Sequence, residues 1–261
     1  MIPVGLQNVE GQLLIWMVAM LRPGAAFMSA PMFGTNVVPV QLRLVLALAV
    51  GIPSAVMTKL ALPAQGMISM PGLFLIMSEI MAGLALGFVI QIAFAAALLA
   101  GEAISNAMGL GFASMADPAS GQASPALGQF LSMLTMFLFL AADGHLAFIS
   151  IIAESYRTLP PGAAWLSFSA IGSIVEFGGL AFSAGLSIAL PVGFALVLVQ
   201  LMMAMIARSA PTLNLFAVGM PAALLAGIAL LGISMPIMAD TISNALRLAL
   251  DYAQMIGGGR V

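Results

Sequence analysis

The chain has 261 residues, of which 62% are hydrophobic and only 6% charged, with 7 basic and 9 acidic side chains and a formal net charge of −2. Soluble proteins carry about 25% charged residues, so this composition excludes a soluble enzyme, a disordered chain and a nucleic-acid binder and predicts an integral membrane protein. Zero cysteines and a single histidine, His145, remove disulfides, thiol chemistry and most metal sites.

No Lys or Arg precedes the first apolar run, and Glu10 sits where a signal peptide would carry its basic region, so this segment is expected to stay on the mature chain. Six apolar runs follow, at about 11–30, 42–58, 73–101, 126–153, 171–207 and 213–239, each to be compared with the ~20 residues that cross a bilayer core. Breaks are expected where Ala30-Pro31, Val38-Pro39, Leu62-Pro63, Met70-Pro71, Pro160-Pro161 and Ala210-Pro211 cluster. No period-two alternation appears, so the fold class is all-α. The third and fifth runs overshoot a bilayer as straight helices, to be absorbed by tilt, by a kink at Pro191, or by packing against protein beyond the lipid. Arg22-Pro23-Gly24 in the first run and Ala142-Asp143-Gly144-His145 in the fourth are read either as broken helices or as interface caps. Lys59, Arg157, Arg247 and Arg260 fall on the side of the termini and Arg43 and Arg208 on the other, which favours cytoplasmic termini.

Small residues recur every four positions at Ala93, Ala97, Gly101, Ser105 and Gly109, and again at Ala181, Gly185, Ala189 and Gly193. Such rows let helix backbones approach closely, although Gly, Ala and Ser are so abundant here that one row is expected by chance. From Pro236 to Ile256 a C-terminal helix is predicted, with Asp240, Asn244, Arg247, Asp251 and Gln254 in one polar stripe. The stripe suits a helix wedged between others with one edge on water, and Arg247 lies i,i+4 from Asp251, a spacing that predicts self-neutralisation.

The segment Gly109 to Pro125 is rich in Gly, Ala, Ser and Pro and is punctuated by Phe112, Met115 and Asp117-Pro118. Loops of this length are usually functional, and this one suits a protein cavity as readily as a solvated linker. Of the 21 methionines, Met108 and Met115 are the two expected to do something other than fill a core. Catalytic patterns are absent: His145 is read as a satisfied or turn-forming histidine. The acids Glu79, Glu102, Asp143, Glu154 and Glu176 include no pair spaced for acid–base work. A proton-coupled small-molecule transporter with Glu79 or Asp143 as relay acid is the alternative, and it lacks the internal repeat expected of one. Neither cofactor nor metal is expected.

Five blocks in order, SAPMFGTNVVPVQLRLVLALAV at 29–50, MGLGFASMADPAS at 108–120, ADGHL at 142–146, YRTLPPG at 156–162 and RSAPTLNLFAVGMP at 208–221, resemble the flagellar biosynthetic protein FliR family. The equivalent subunit of virulence-type injectisomes is its relative, and injectisome membership is the close alternative. The family pattern more often has Asn than Asp before Gly144-His145. The resemblance implies a subunit of a type III secretion export gate in the bacterial inner membrane and flagellar basal body, assembled with FliP-like and FliQ-like subunits into a helical spiral. It implies an N-terminal FliP-like part over 1–175 and a FliQ-like hairpin over 176–261. It further implies a channel plug formed by Met108, Gly109, Gly111, Phe112, Met115, Asp117, Pro118 and Ser120. With the polar stripe, it implies packing against partner helices at Arg208, Pro211, Asn214, Gly219, Pro221, Asp240, Asn244, Arg247 and Asp251. The substrates implied are unfolded export proteins.

Overall fold

A computed structural model describes residues 4–34, 38–110, 126–162, 168–209 and 215–258. Among the described residues every regular element is an α-helix: α1 (Val4–Ala19), α2 (Leu21–Ser29), α3 (Pro31–Gly34), α4 (Val40–Thr58), α5 (Met70–Ala107), α6 (Ala126–Ala141), α7 (Gly144–Thr158), α8 (Phe168–Ser209) and α9 (Leu215–Gly257). Five stretches are long and apolar enough to cross a membrane: Val9–Ser29, Val40–Thr58, Met70–Ala107, Ile171–Ser209 and Gly219–Gly257. The pair α6 and α7, bent by 69°, is apolar enough only when taken together, as a broken span or a re-entrant loop. The bend sits at Asp143, which adopts φ 53° and ψ 24°, a left-handed conformation that ends α6 and starts α7.

Two expected boundaries are corrected. Pro236 does not begin a separate C-terminal helix: α9 runs 43 residues through both Pro221 and Pro236, as α8 runs 42 residues through Pro191. A proline removes one N–H and crowds the carbonyl four residues back, but in apolar surroundings the rest of the ladder has no water to bond to and persists. At 1.5 Å per residue these helices reach roughly 63–65 Å, well beyond a bilayer core. The first run is interrupted only at Met20, whose αR geometry (φ −85°, ψ −11°) lets α1 lead almost directly into α2.

The chain forms two compact units that interleave along the sequence: Met1–Ile92 with Ala142–Gly178 and Arg247–Val261, and Ala93–Ala141 with Gly179–Leu246. In the first unit Val18, Ala19, Ala55, Leu60 and Leu75 form a buried cluster backed by Ile15, Leu62 and Met67. Phe27 packs on Phe33 and edge-on to Phe148, with ring centroids 4.7 and 6.5 Å apart. Helices α2 and α5 meet backbone to backbone at Gly83 and Gly87. A Cβ at Gly83 would collide with the Arg22 carbonyl oxygen, and one at Gly87 would lie 2.5 Å from that of Ala26. This is the spacing of a small-xxx-small contact.

In the second unit the row on α5 is buried at Ala93, Ala97 and Ser105, and Phe94 meets Phe139 edge to face at 5.9 Å. The close approaches fall at Gly101, where a Cβ would collide with Gly128 Cα, and at Gly185, where one would lie 3.0 Å from the Ala96 carbonyl. Gly193, the last member of the second row, meets nothing within 4 Å. Half of the most apolar 18-residue stretch of α5 is buried inside the chain's own fold, against 22% in the corresponding stretches of α8 and α9. Phe182, Leu186, Phe194 and Met205 stand out along α8 with more than 60% of their surface open.

Candidate functional site

The first unit is organised around one buried cation. Arg22 falls in the first turn of α2, where Pro23 is tolerated because early helical N–H groups lack partners. Pro23 also cannot donate to the residue four back, which leaves the Ala19 carbonyl free. The Tyr156 hydroxyl donates to it at 2.7 Å. On α4, Gly51 packs onto the same carbonyl so tightly that a Cβ there would collide with it.

The guanidinium of Arg22 is fully buried and grips the Glu79 carboxylate with two bonds, Nε to Oε2 at 2.9 Å and Nη2 to Oε1 at 2.7 Å. Nη1 donates to the Ser155 hydroxyl at 3.0 Å and Nη2 to the Leu159 carbonyl at 2.9 Å. Leu159 caps α7, so that carbonyl belongs to a helix end with no intrahelical partner. The Tyr156 ring lies under the cation, 4.3 Å from Arg22 Cζ. Such bidentate, fully satisfied pairing is what allows a charge pair to exist away from water. It joins α2, α5 and α7 into one node.

Of the five intramembrane acids singled out from sequence, Glu79 alone is buried; Glu102, Asp143, Glu154 and Glu176 are exposed. Glu79 already holds a permanent cation, an arrangement suited to structure rather than to a mobile proton. His145 lies in the first turn of α7, and its buried Nδ1 has no hydrogen-bond partner among the described residues. Of the two readings of this residue, the satisfied histidine does not hold for Nδ1, while its place directly after the αL turn at Asp143 fits the turn-forming one.

At the other end of α5, in the second unit, the helix stops at Gly109. Its φ of 81° is open to glycine without strain. The Gly109 N–H bonds Asn106 O at 3.0 Å and the Leu110 N–H reaches back to Ser105 O at 3.0 Å, the paired bonds of a Schellman cap. Met108 is 3% exposed and fills the notch over Gly227, where a Cβ would strike its Cε at 2.6 Å. Contrary to expectation, this methionine is core of its own unit, because a glycine opposite leaves room for it. Met108, Gly109 and Gly219 come together in one pocket of about 210 Å³ with Gln200, Met203 and Met220. Gln200 Nε2 donates to the Ala107 carbonyl at 2.7 Å, one of those freed by the end of α5. Gly111, Phe112, Met115, Asp117, Pro118, Ser120, Pro211 and Asn214 lie outside the described residues.

The polar stripe of α9 is exposed throughout, while Ile242, Ala245, Ala249, Ala253 and Ile256 on the opposite face are buried. Asp240 and Asn244 fall in the second unit, Arg247 and Asp251 in the first. The predicted Arg247–Asp251 pair does not form. Ion pairs do form between Arg22 and Glu79 and, exposed, between Glu154 and Arg157 at 3.4 Å. An exposed i,i+4 pair is worth only about 0.3–0.5 kcal/mol, too little to hold two long side chains. Arg208 and Pro221 are also exposed.

Comparison with known proteins adds to this geometry. The model of the family described as bacterial export proteins, family 1, matches residues 13–249. The chain is similar to the flagellar biosynthetic protein FliR of Escherichia coli K12, 37% identical over 240 residues and 90% of each chain. It is similar to the FliR of Pectobacterium carotovorum, 38% identical over 214 residues, 82% of this chain and 81% of that protein. To the FliR of Bacillus subtilis it is 27% identical over 240 residues, 90% of this chain and 92% of that protein.

Proposed function

Since the chain belongs to family 1 of the bacterial export proteins, with the flagellar FliR proteins, we propose that it is one subunit of the flagellar type III secretion export gate. In this reading it forms part of a gated channel that passes unfolded flagellar proteins across the bacterial inner membrane. FliP-like and FliQ-like subunits supply the neighbouring helices. The observation that carries the reading is the family match over 13–249 on a chain whose α8 and α9 bury only 22% of their most apolar 18-residue stretches internally. Helices that long, with that much apolar surface unmet and with a polar stripe on one of them, suit a multi-subunit helical wall better than a lone bundle in lipid.

Residues 1–175 take the FliP-like role and 176–261 the FliQ-like hairpin. Segment 109–125 is the plug: its small residues permit close packing in a narrow lumen, and Phe112 and Met115 supply apolar bulk that seals and yields. The pocket where Met108, Gly109 and Gly219 meet supports this by anchoring the start of the segment with sulfur-rich, deformable walls. The exposed side chains Arg208, Pro221, Asp240, Asn244, Arg247 and Asp251, with Pro211 and Asn214, are assigned to contacts with partner helices.

Two measurements test the proposal. The solubilised chain should co-purify with FliP- and FliQ-like subunits, and a monodisperse, long-lived helical monomer would overturn the gate reading. Deleting 112–120, or replacing Phe112 and Met115 together by Gly, should leave assembly intact and make the membrane leaky to ions. An assembled deletion complex that stays ion-tight and exports normally would show these residues to be an ordinary connection.

A further inference from the structure

A groove of about 830 Å³ in the first unit is lined from α7 by Ser150, Glu154 and Thr158 and from α9 by Arg247, Asp251 and Gln254. On α7 these residues step by four, and on α9 by four and three, so each helix presents one polar stripe to the same space. Three charged side chains around one groove are a strong concentration in a chain with only 6% charged residues. The two helices also finish here: Thr158 and Gly257 are their last residues, and the Thr158 hydroxyl donates to the Gly257 carbonyl. Helix C-termini carry partial negative charge, reduced here where the Gly257 carbonyl accepts from Thr158 and the Leu159 carbonyl from Arg22, and what remains adds to the carboxylates of Glu154 and Asp251. Against them stands Arg247, unpaired with Asp251, and Arg157, which touches Glu154 from outside the lining at 3.4 Å.

We propose that this groove seats a basic helical segment of a partner protein of the export apparatus. The inference rests on the export-gate reading and names the chemistry of one contact within it. Two parallel rows of polar groups at helical spacing are matched by a third helix. Lys or Arg side chains four residues apart on that helix reach Glu154 and Asp251 together with the terminal carbonyls, and an acid or amide on it meets Arg247. An apolar helix would leave Arg247 and Asp251 without partners, and an anionic lipid headgroup would face two carboxylates and two helix C-termini.

The test places a photo-crosslinking amino acid at Ser150 or Gln254 of the full chain, within the assembled apparatus in native membranes. Met28 on α2, 67% exposed and outside the groove, serves as the control position. Ser150 and Gln254 should crosslink to one partner segment carrying at least two Lys or Arg, and Met28 should not crosslink to that segment. The yield should fall about threefold with Glu154→Gln/Asp251→Asn and about tenfold with Glu154→Lys/Asp251→Lys, as expected when two partly exposed charge attractions are first removed and then turned into repulsions. Replacing the partner's basic residues by Glu should restore the reversed variant. If the reversed variant does not assemble, the neutral one carries the reading. Crosslinks to lipid alone, to residues 259–261 of the chain itself or to a segment without basic residues overturn the proposal, as does a yield indifferent to these charges. A chain that never co-purifies with export partners fails the gate reading instead. A chain that assembles and exports with an empty groove fails only this one.

Discussion

Replacing Arg22 by Met removes the buried cation while keeping most of its volume. Four hydrogen bonds vanish, and Glu79, 1% exposed, is left with its carboxylate facing no cation. The Leu159 carbonyl loses its donor; Ser155 loses less, because its hydroxyl still donates to Ile152 O at 2.7 Å. Breaking one side of a buried pair costs about 3–5 kcal/mol, and one unsatisfied carbonyl adds about 1 kcal/mol. Glu79→Leu is expected to cost about 3 kcal/mol, since the stranded guanidinium keeps two of its acceptors. The double variant Arg22→Met/Glu79→Leu leaves no buried charge, and its loss should fall short of the sum by about 2 kcal/mol or more. The measurement is detergent-titrated unfolding of the purified assembly in mixed micelles, followed by helical circular dichroism, with the amount of chain in membranes as a second readout. Strictly additive losses, or an Arg22→Met chain within about 0.5 kcal/mol of the parent, would show that the node does not act as a coupled charge pair.

Two further predictions use the same surroundings. Tyr156→Phe strips the Ala19 carbonyl of its donor and should cost about 1–3 kcal/mol. Pro23→Ala supplies a helical N–H to that carbonyl and should recover most of the loss in the same unfolding assay, so a Tyr156→Phe defect indifferent to residue 23 refutes the account. At Asp143, φ 53° is better tolerated by Asn, so Asp143→Asn should match or exceed the parent by up to about 0.5 kcal/mol and retain export, while Asp143→Val loses about 1–3 kcal/mol. Complete loss of export by a normally assembled Asp143→Asn complex would restore a proton-carrying role to this residue.

Much of the architecture is legible because a bilayer imposes a length and a composition on each crossing; the six apolar runs correspond to five candidate spans and one bent pair. Breaks were less legible, for proline reads as an end in a sequence but in α8 and α9 deletes single bonds from helices that continue. The partnership of Arg22 with Glu79 was out of reach, since 57 residues separate them and nothing local selects one acid over four others. Gly83 and Gly87 carried a readable small-xxx-small signal, hidden among many similar spacings. Arg247 and Asp251 show the opposite limit, where a correct spacing predicts a pair that the energy does not compel. The plug proposed from Gly111 to Ser120 rests on the resemblance together with the small and apolar residues of that segment.

The position of Arg22 also bears on how the chain enters its membrane. Val9–Ser29 has a mean hydropathy of 1.3, the lowest of the five candidate spans, against 2.3 for Met70–Ala107. An arginine within a span adds about 2.5–3.5 kcal/mol to the cost of insertion when it stands alone. During synthesis it does stand alone, because Glu79 follows 57 residues later and Ser155 133 residues later. The first span is thus expected to insert weakly on its own, and the cost of its arginine falls only once α5 supplies the counter-charge that neutralises it.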